Sequence, residues 1–98
     1  MAQIDIHRPH GMSEDAARRR AEDLARRLEQ RRGVRWRWEG DELRLDAPSG
    51  PAKGTRGSVR VDAEVVRIRV ELPLFLRPMR PVVETKLREK LDAMLGKS

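Results

Sequence analysis

The chain contains no cysteine, no tyrosine and a single phenylalanine, Phe75. Without cysteine there are no disulfides, no thiolate nucleophile and no cysteine-based zinc site. The shortage of aromatics leaves few platforms on which nucleic-acid bases stack. No apolar run approaches the ~20 residues of a membrane span; the longest is LPLFL, residues 72–76. The opening MAQIDIHRPH has neither the basic start nor the apolar stretch of a signal peptide, so a cytoplasmic protein is expected. The glycines of SGPAKGTRG, residues 49–57, match neither a P-loop nor a dinucleotide fingerprint.

What the chain does have is charge. Of its 98 residues 39% are charged and 38% hydrophobic, which implies one domain, residues 1–98, with a thin core. The formal net charge is +6, and a basic excess suits anionic partners. Acids are mixed among the bases, however, and no long run of one sign occurs. A solvated surface is the plainer reading.

Hydrophobic period assigns the elements. Ile4 and Ile6 share one face of a short strand over residues 3–7, which Pro9 and Gly11 end. Ser13 has the place of an N-cap, followed by Glu14 and Asp15 at the positive end of a helix. That helix runs to Arg32 with Gly33 at its C′ position. Ala17, Ala21, Leu24 and Leu28 make its narrow apolar stripe, and four acid–arginine pairs follow at i,i+4: 14/18, 15/19, 22/26 and 23/27. Strands at 34–39 and 42–47 flank a turn at Gly40 and Asp41. A glycine- and proline-rich stretch, about 47–57, reads as a flexible loop. A second hairpin occupies 57–72, ended by Pro73. A last helix over 79–95 carries Val83, Leu87, Leu91 and Leu95, a bulkier stripe that is the better candidate to cover the sheet. The order β-α-β-β-β-β-α predicts an α+β fold, an antiparallel sheet with both helices on one face.

This order gives two tryptophans a place. Trp36 and Trp38 alternate with Arg35 and Arg37, so they are expected in the core with Val66, Ile68, Val70, Leu87 and Leu91. Trp36→Ala is then expected to cost ~3–5 kcal/mol. The opposite face gathers Arg35, Arg37, Arg44, Arg60, Arg67 and Arg69, with acids on the same parity. Cross-strand ion pairing is the plain reading of that face; a plate for a phosphate backbone or anionic lipid is the sharper one. The segment LPLFLRPM, residues 72–79, is expected to pack as a strand-to-helix corner. Its Leu74, Phe75, Leu76 and Met79 form an apolar contact site if it is instead exposed.

No catalytic constellation is visible. His7 and His10 in HRPH lack further ligands at metal spacing, so they belong to the start of the helix, and Ser13 has no partner that would make it a nucleophile. No enzyme activity, cofactor or metal is expected.

IDIHRPHGMSEDAARRRAEDLARRLEQ, then WRWEGDELRLD, then GSVRVDAEVVRIRVELPLFLRPMRPVVETKLREKLDAML together resemble the small bacterial family of polyhydroxyalkanoic acid system proteins, over nearly the full chain. The family is named for genes lying near those of polyhydroxyalkanoate synthesis and storage granules. The resemblance implies that association and brings no catalytic residues with it. It implies a non-enzymatic accessory protein that binds granule proteins or the granule surface. The layout is also similar to a shortened helix-grip fold, whose larger relatives hold apolar ligands between sheet and helix. Granule-coating phasins look like long amphipathic helices, which this chain does not. Two alternatives follow from other classes: a nucleic-acid-binding module using the arginine face, and a small apolar-ligand carrier with a cavity lined by Trp36, Trp38 and Leu91.

Overall fold

The computed structural model describes residues 4–96. Gln3, placed by periodicity in the first strand, lies outside the described residues. Five strands and two helices follow in the expected order: β1 (Ile4–Pro9), α1 (Glu14–Arg32), β2 (Arg35–Glu39), β3 (Glu42–Asp46), β4 (Arg56–Val61), β5 (Val65–Glu71) and α2 (Arg80–Met94). A 3-10 turn, Leu74–Met79, precedes α2. The sheet order is β1-β5-β4-β3-β2, with every neighbouring pair antiparallel. After β1, α1 crosses one face of the sheet; β2 to β5 then form a meander whose last strand, β5, pairs with β1. This is the α+β fold that the alternation predicts.

Local chemistry sets the boundaries. The Ser13 hydroxyl accepts a hydrogen bond from the Ala16 N–H at 3.1 Å and caps α1. Gly33 ends α1 with φ +68°, a conformation costly for any side chain with a Cβ, and donates its N–H to the Glu29 carbonyl at 3.0 Å. His10, which is buried, ties the start of the helix to the turn between β4 and β5. Its ring accepts the Met12 N–H at Nδ1, 3.2 Å, and its Nε2 lies 2.8 Å from the Asp62 carbonyl. Because the Met12 N–H must donate, the neutral ring with its proton on Nε2 satisfies both bonds.

The core lies between the sheet and the helices. Ile4, Ile6, Leu43, Val59, Val61, Val66, Ile68 and Val70 supply the sheet side. From above, Ala17, Ala21 and Ala25 of α1 are buried, whereas α2 buries only Leu91 and Met94. The expectation that the bulkier C-terminal stripe covers the sheet is therefore reversed. α1 passes over β4, β3 and β2, while α2 meets β1 and the flank of α1. Alanines let a helix approach a sheet closely, whereas α2 enters the core only with Leu91 and Met94 and leaves Val83 and Leu87 half-buried at its margin.

The stretch about 47–57 is closed by its own backbone bonds. Ala47 and Thr55 continue the ladder (3.0 Å), Gly54 donates to the Ala47 carbonyl (3.0 Å) and Lys53 to that of Gly50 (3.1 Å). Gly54 also has positive φ, +94°, and a Cβ there would stand 3.3 Å from Pro73 Cβ. The loop thus rests against the first residue of the corner between β5 and α2.

Candidate functional site

At the corner, β5 gives way to Leu72, which is buried, and Pro73, which has extended backbone angles and begins the 3-10 turn. The Leu76 N–H closes the turn on the Pro73 carbonyl at 2.9 Å. A 3-10 helix has three residues per turn, so only one of its sides can face the sheet. Leu76 takes that side and packs on the core. Leu74 and Phe75 stand out at 76% and 62% exposure, with Met79 and Val82 beside them at 47% and 46%. Among the described residues these four are the exposed large apolar side chains, and all fall within nine consecutive positions. A single exposed leucine is ordinary; a grouped set is a patch. The corner expected to pack inward is therefore mostly outside, and Leu76, read as part of the contact set, is a core-facing residue. Pro81 in the first turn of α2 fits because its missing N–H has no helical acceptor there. Arg77 is exposed in the middle of the patch.

The open face of the sheet carries Arg35, Arg37, Arg44, Arg60, Arg67 and Arg69, all exposed. Arg56, which periodicity did not assign to this face, joins them, because β4 begins at residue 56. The register sets them in rows. Glu71, Arg56, Asp46 and Arg35 alternate in sign across β5, β4, β3 and β2. Arg67 grips Asp5 with two hydrogen bonds of 2.8 and 2.5 Å, and Arg69 is 3.9 Å from the same carboxylate. The Arg67 hydrogen bonds hold the Asp5 carboxyl below its usual range, and Asp5 in turn raises Arg67. Arg44 reaches Glu39 at 3.1 Å and Glu42 at 3.0 Å, and Arg37 reaches Glu39 at 2.8 Å. Arg60 stands directly opposite Arg67 in the register, a like-charge pair that the Asp5 grip offsets on one side. Among the described residues no tryptophan lies on the strands of this face; His7 of β1 does, opposite Arg67.

The tryptophans are on the other face but not deep in it. β2 is an edge strand, so α1 covers Trp36 and Trp38 from one side only, and both are half-buried. Their expected place within the core is corrected accordingly: they pack against its edge. Each is held by a polar partner on α1. Trp36 Nε1 donates to Glu29 at 3.2 Å, and Trp38 Nε1 donates to Glu22 at 3.0 Å. Arg18 stacks on the Trp38 ring at 4.1 Å and bonds to Asp41 at 3.4 Å. Of the four intrahelical pairs read from spacing, Glu22–Arg26 closes at 2.8 Å, while Arg18 has turned to the hairpin. These straps were not legible in the chain, because Glu22 and Glu29 look like ordinary surface acids. Trp36, Trp38 and Leu91 line no common space, since Leu91 belongs to α2 on the β1 side and the tryptophans to the opposite edge.

Val66, Ile68, Val70 and Leu91 are buried. No group of three histidine, aspartate or glutamate side chains among the described residues is placed to hold a metal ion. No helix among them is long and apolar enough to cross a membrane.

No curated protein and no solved structure matches the chain. One family model does, over residues 4–95, which spans every element described above. The chain therefore belongs to the family described as "Putative polyhydroxyalkanoic acid system protein".

Proposed function

We propose that the chain is a non-enzymatic accessory protein of polyhydroxyalkanoate metabolism that docks on the storage-granule surface through its exposed corner. The observation that carries this reading is the grouping of Leu74, Phe75, Met79 and Val82 outside the core. Such a patch gains free energy by leaving water for an apolar surface, at roughly 25 cal/mol per Å² removed. Arg77 within the patch supplies a charge suited to anionic headgroups at the same boundary. The 3-10 turn is fixed by Pro73, Pro78 and the Leu76 N–H bond to the Pro73 carbonyl, so the patch is presented with little ordering left to do on binding. Docking needs no catalytic group. The arginine face is the weaker contact candidate, because Asp5, Glu39 and Glu42 already hold Arg67, Arg44 and Arg37. A protein of this kind works in the cytoplasm, where the granules lie, and its compact shape suits recruitment or regulation better than coating.

The test is co-sedimentation with purified granules stripped of their own proteins. The wild-type chain should pellet with them and stay bound in high salt. Phe75→Asp, an exposed position whose change leaves the core intact, should remain in the supernatant while its thermal unfolding is unchanged. Equal pelleting of a folded Phe75→Asp protein would overturn the reading. So would release of the wild type by salt, which would move the contact to the arginine face. Binding only to unstripped granules would make the partner a granule protein.

A further inference from the structure

A groove of about 260 Å³ lies between α1 and α2. Its floor is apolar: Leu24 is half-buried, Met94 is buried, and Leu28 lies one turn along from Leu24. Its rim is cationic on both helices, with Arg27 and Arg31 on α1 and Lys90 on α2. Asp23 is the one carboxylate that faces it. Arg20 closes one part of the groove by donating to the Met94 carbonyl at 3.3 Å, which fixes the two helices relative to each other. Arg27, Arg31 and Lys90 have no ion-pair partner among the described residues, in contrast to Arg67 and Arg44 on the sheet. Arg27, Arg31 and Lys90 thus leave positive charge available to an anion seated along the trough.

The mixture of surfaces defines the occupant. Inorganic phosphate uses the cations and leaves the leucines wet. A neutral hydrocarbon does the reverse. A volume just below the ~300–1,000 Å³ of drug-sized pockets admits one short chain and is too small for a helix of a partner protein. We propose that this groove binds a medium-chain carboxylate, its tail along Leu24, Leu28 and Met94 and its head between Arg27, Arg31 and Lys90. This site is separate from the corner and does not depend on the granule contact.

The experiment is an amide chemical-shift titration of the full chain with octanoate, with acetate, hexanoate and octanol as comparisons. Saturable shifts should centre on Leu24, Leu28, Lys90 and Ala93. Affinity should rise from hexanoate to octanoate by up to about fourfold per methylene. Octanol, which lacks the head, should bind roughly tenfold more weakly or worse. Ala93→Trp fills the groove from an exposed position, so the fold should persist while octanoate binding falls about tenfold or more. The proposal is overturned by absence of saturable shifts, by equal binding of octanol, by shifts centred on Phe75 and Met79, or by undiminished binding to folded Ala93→Trp. Ala93→Trp should still pellet with granules and Phe75→Asp should still bind octanoate, so each reading fails by its own assay.

Discussion

The two helices share one face of one sheet and use opposite means. α1 buries only alanines, at positions 17, 21 and 25, yet it lies across three strands. α2 carries Val83, Leu87, Leu91 and Met94, yet only the last two are buried. Side-chain bulk along a stripe is thus a poor guide to docking depth. Small residues set a helix close to the sheet, where every atom beneath it is packed, whereas a bulky stripe can dock by one end and leave the other free. The free end of α2 is where Val82 and the exposed corner sit, and its flank is where the groove opens. The helix that the core holds less tightly is the one beside both candidate contact regions.

That contrast is easiest to break at Leu91. It is fully buried, so Leu91→Ala should cost ~2–5 kcal/mol in urea unfolding. Leu87→Ala, half-buried one turn earlier, should cost less than half as much. Equal losses would mean that α2 is docked along its whole length. The next effect belongs to α1. Ala21→Leu adds volume at a fully buried position of α1 and should destabilise by ~1–3 kcal/mol. Ala93→Leu on the exposed side of α2 should change stability by no more than ~0.5 kcal/mol. A tolerated Ala21→Leu would show that α1 stands off the sheet.

The tryptophans sharpen the same comparison at the edge. Deep burial predicts a loss of ~3–5 kcal/mol for Trp36→Ala. Half-burial on an edge strand lowers the expectation to about 1–2 kcal/mol. Trp38→Phe keeps most of the ring and removes the donor to Glu22, and should cost about 1 kcal/mol in the same unfolding assay. A loss of 3 kcal/mol or more for Trp36→Ala would restore it to the core.

These differences mark how far the chain is legible. Strand alternation gave the two faces of the sheet, and the caps at Ser13 and Gly33 gave α1 to within a residue. Both signals are local and periodic. The order β1-β5-β4-β3-β2 places Trp36 and Trp38 at an edge, and nothing local to RWRWE says which strand will lie outermost. The 3-10 turn was missed for a related reason. LPLFL is too short for any period, and its apolar composition argues for burial, while the 3-10 turn swings Leu74 and Phe75 outward. The segment was therefore legible as apolar, but the direction in which each side chain points needed the fold. The groove had no sequence signal, because it joins Arg27 and Arg31 to Lys90, far away in the chain.

The smallest expected effect concerns acid. Asp5 lies below its ordinary value of 3.8 because Arg67 donates to it. Asp62 lies below the same value because the Val65 and Glu64 N–H groups donate to it in the β4–β5 turn, at 2.6 and 2.9 Å. A carboxylate with a depressed folded value stabilises the fold above its unfolded pKa, and that contribution is lost as pH falls through the folded value. Both carboxyls are solvent-exposed, so screening keeps the effect modest. Side-chain carbonyl shifts followed by NMR should place both midpoints below the ordinary aspartate value. Stability should begin to fall only beneath about pH 4. Asp5→Asn should remove the Asp5 part of that slope and leave the Asp62 part, since one carboxylate is held by an arginine of the open face and the other by backbone at the turn that His10 ties to α1. If Asp5 titrates at its ordinary value, the Arg67 grip is not maintained in solution, and Arg60, Arg67 and Arg69 become a free cationic cluster on β4 and β5.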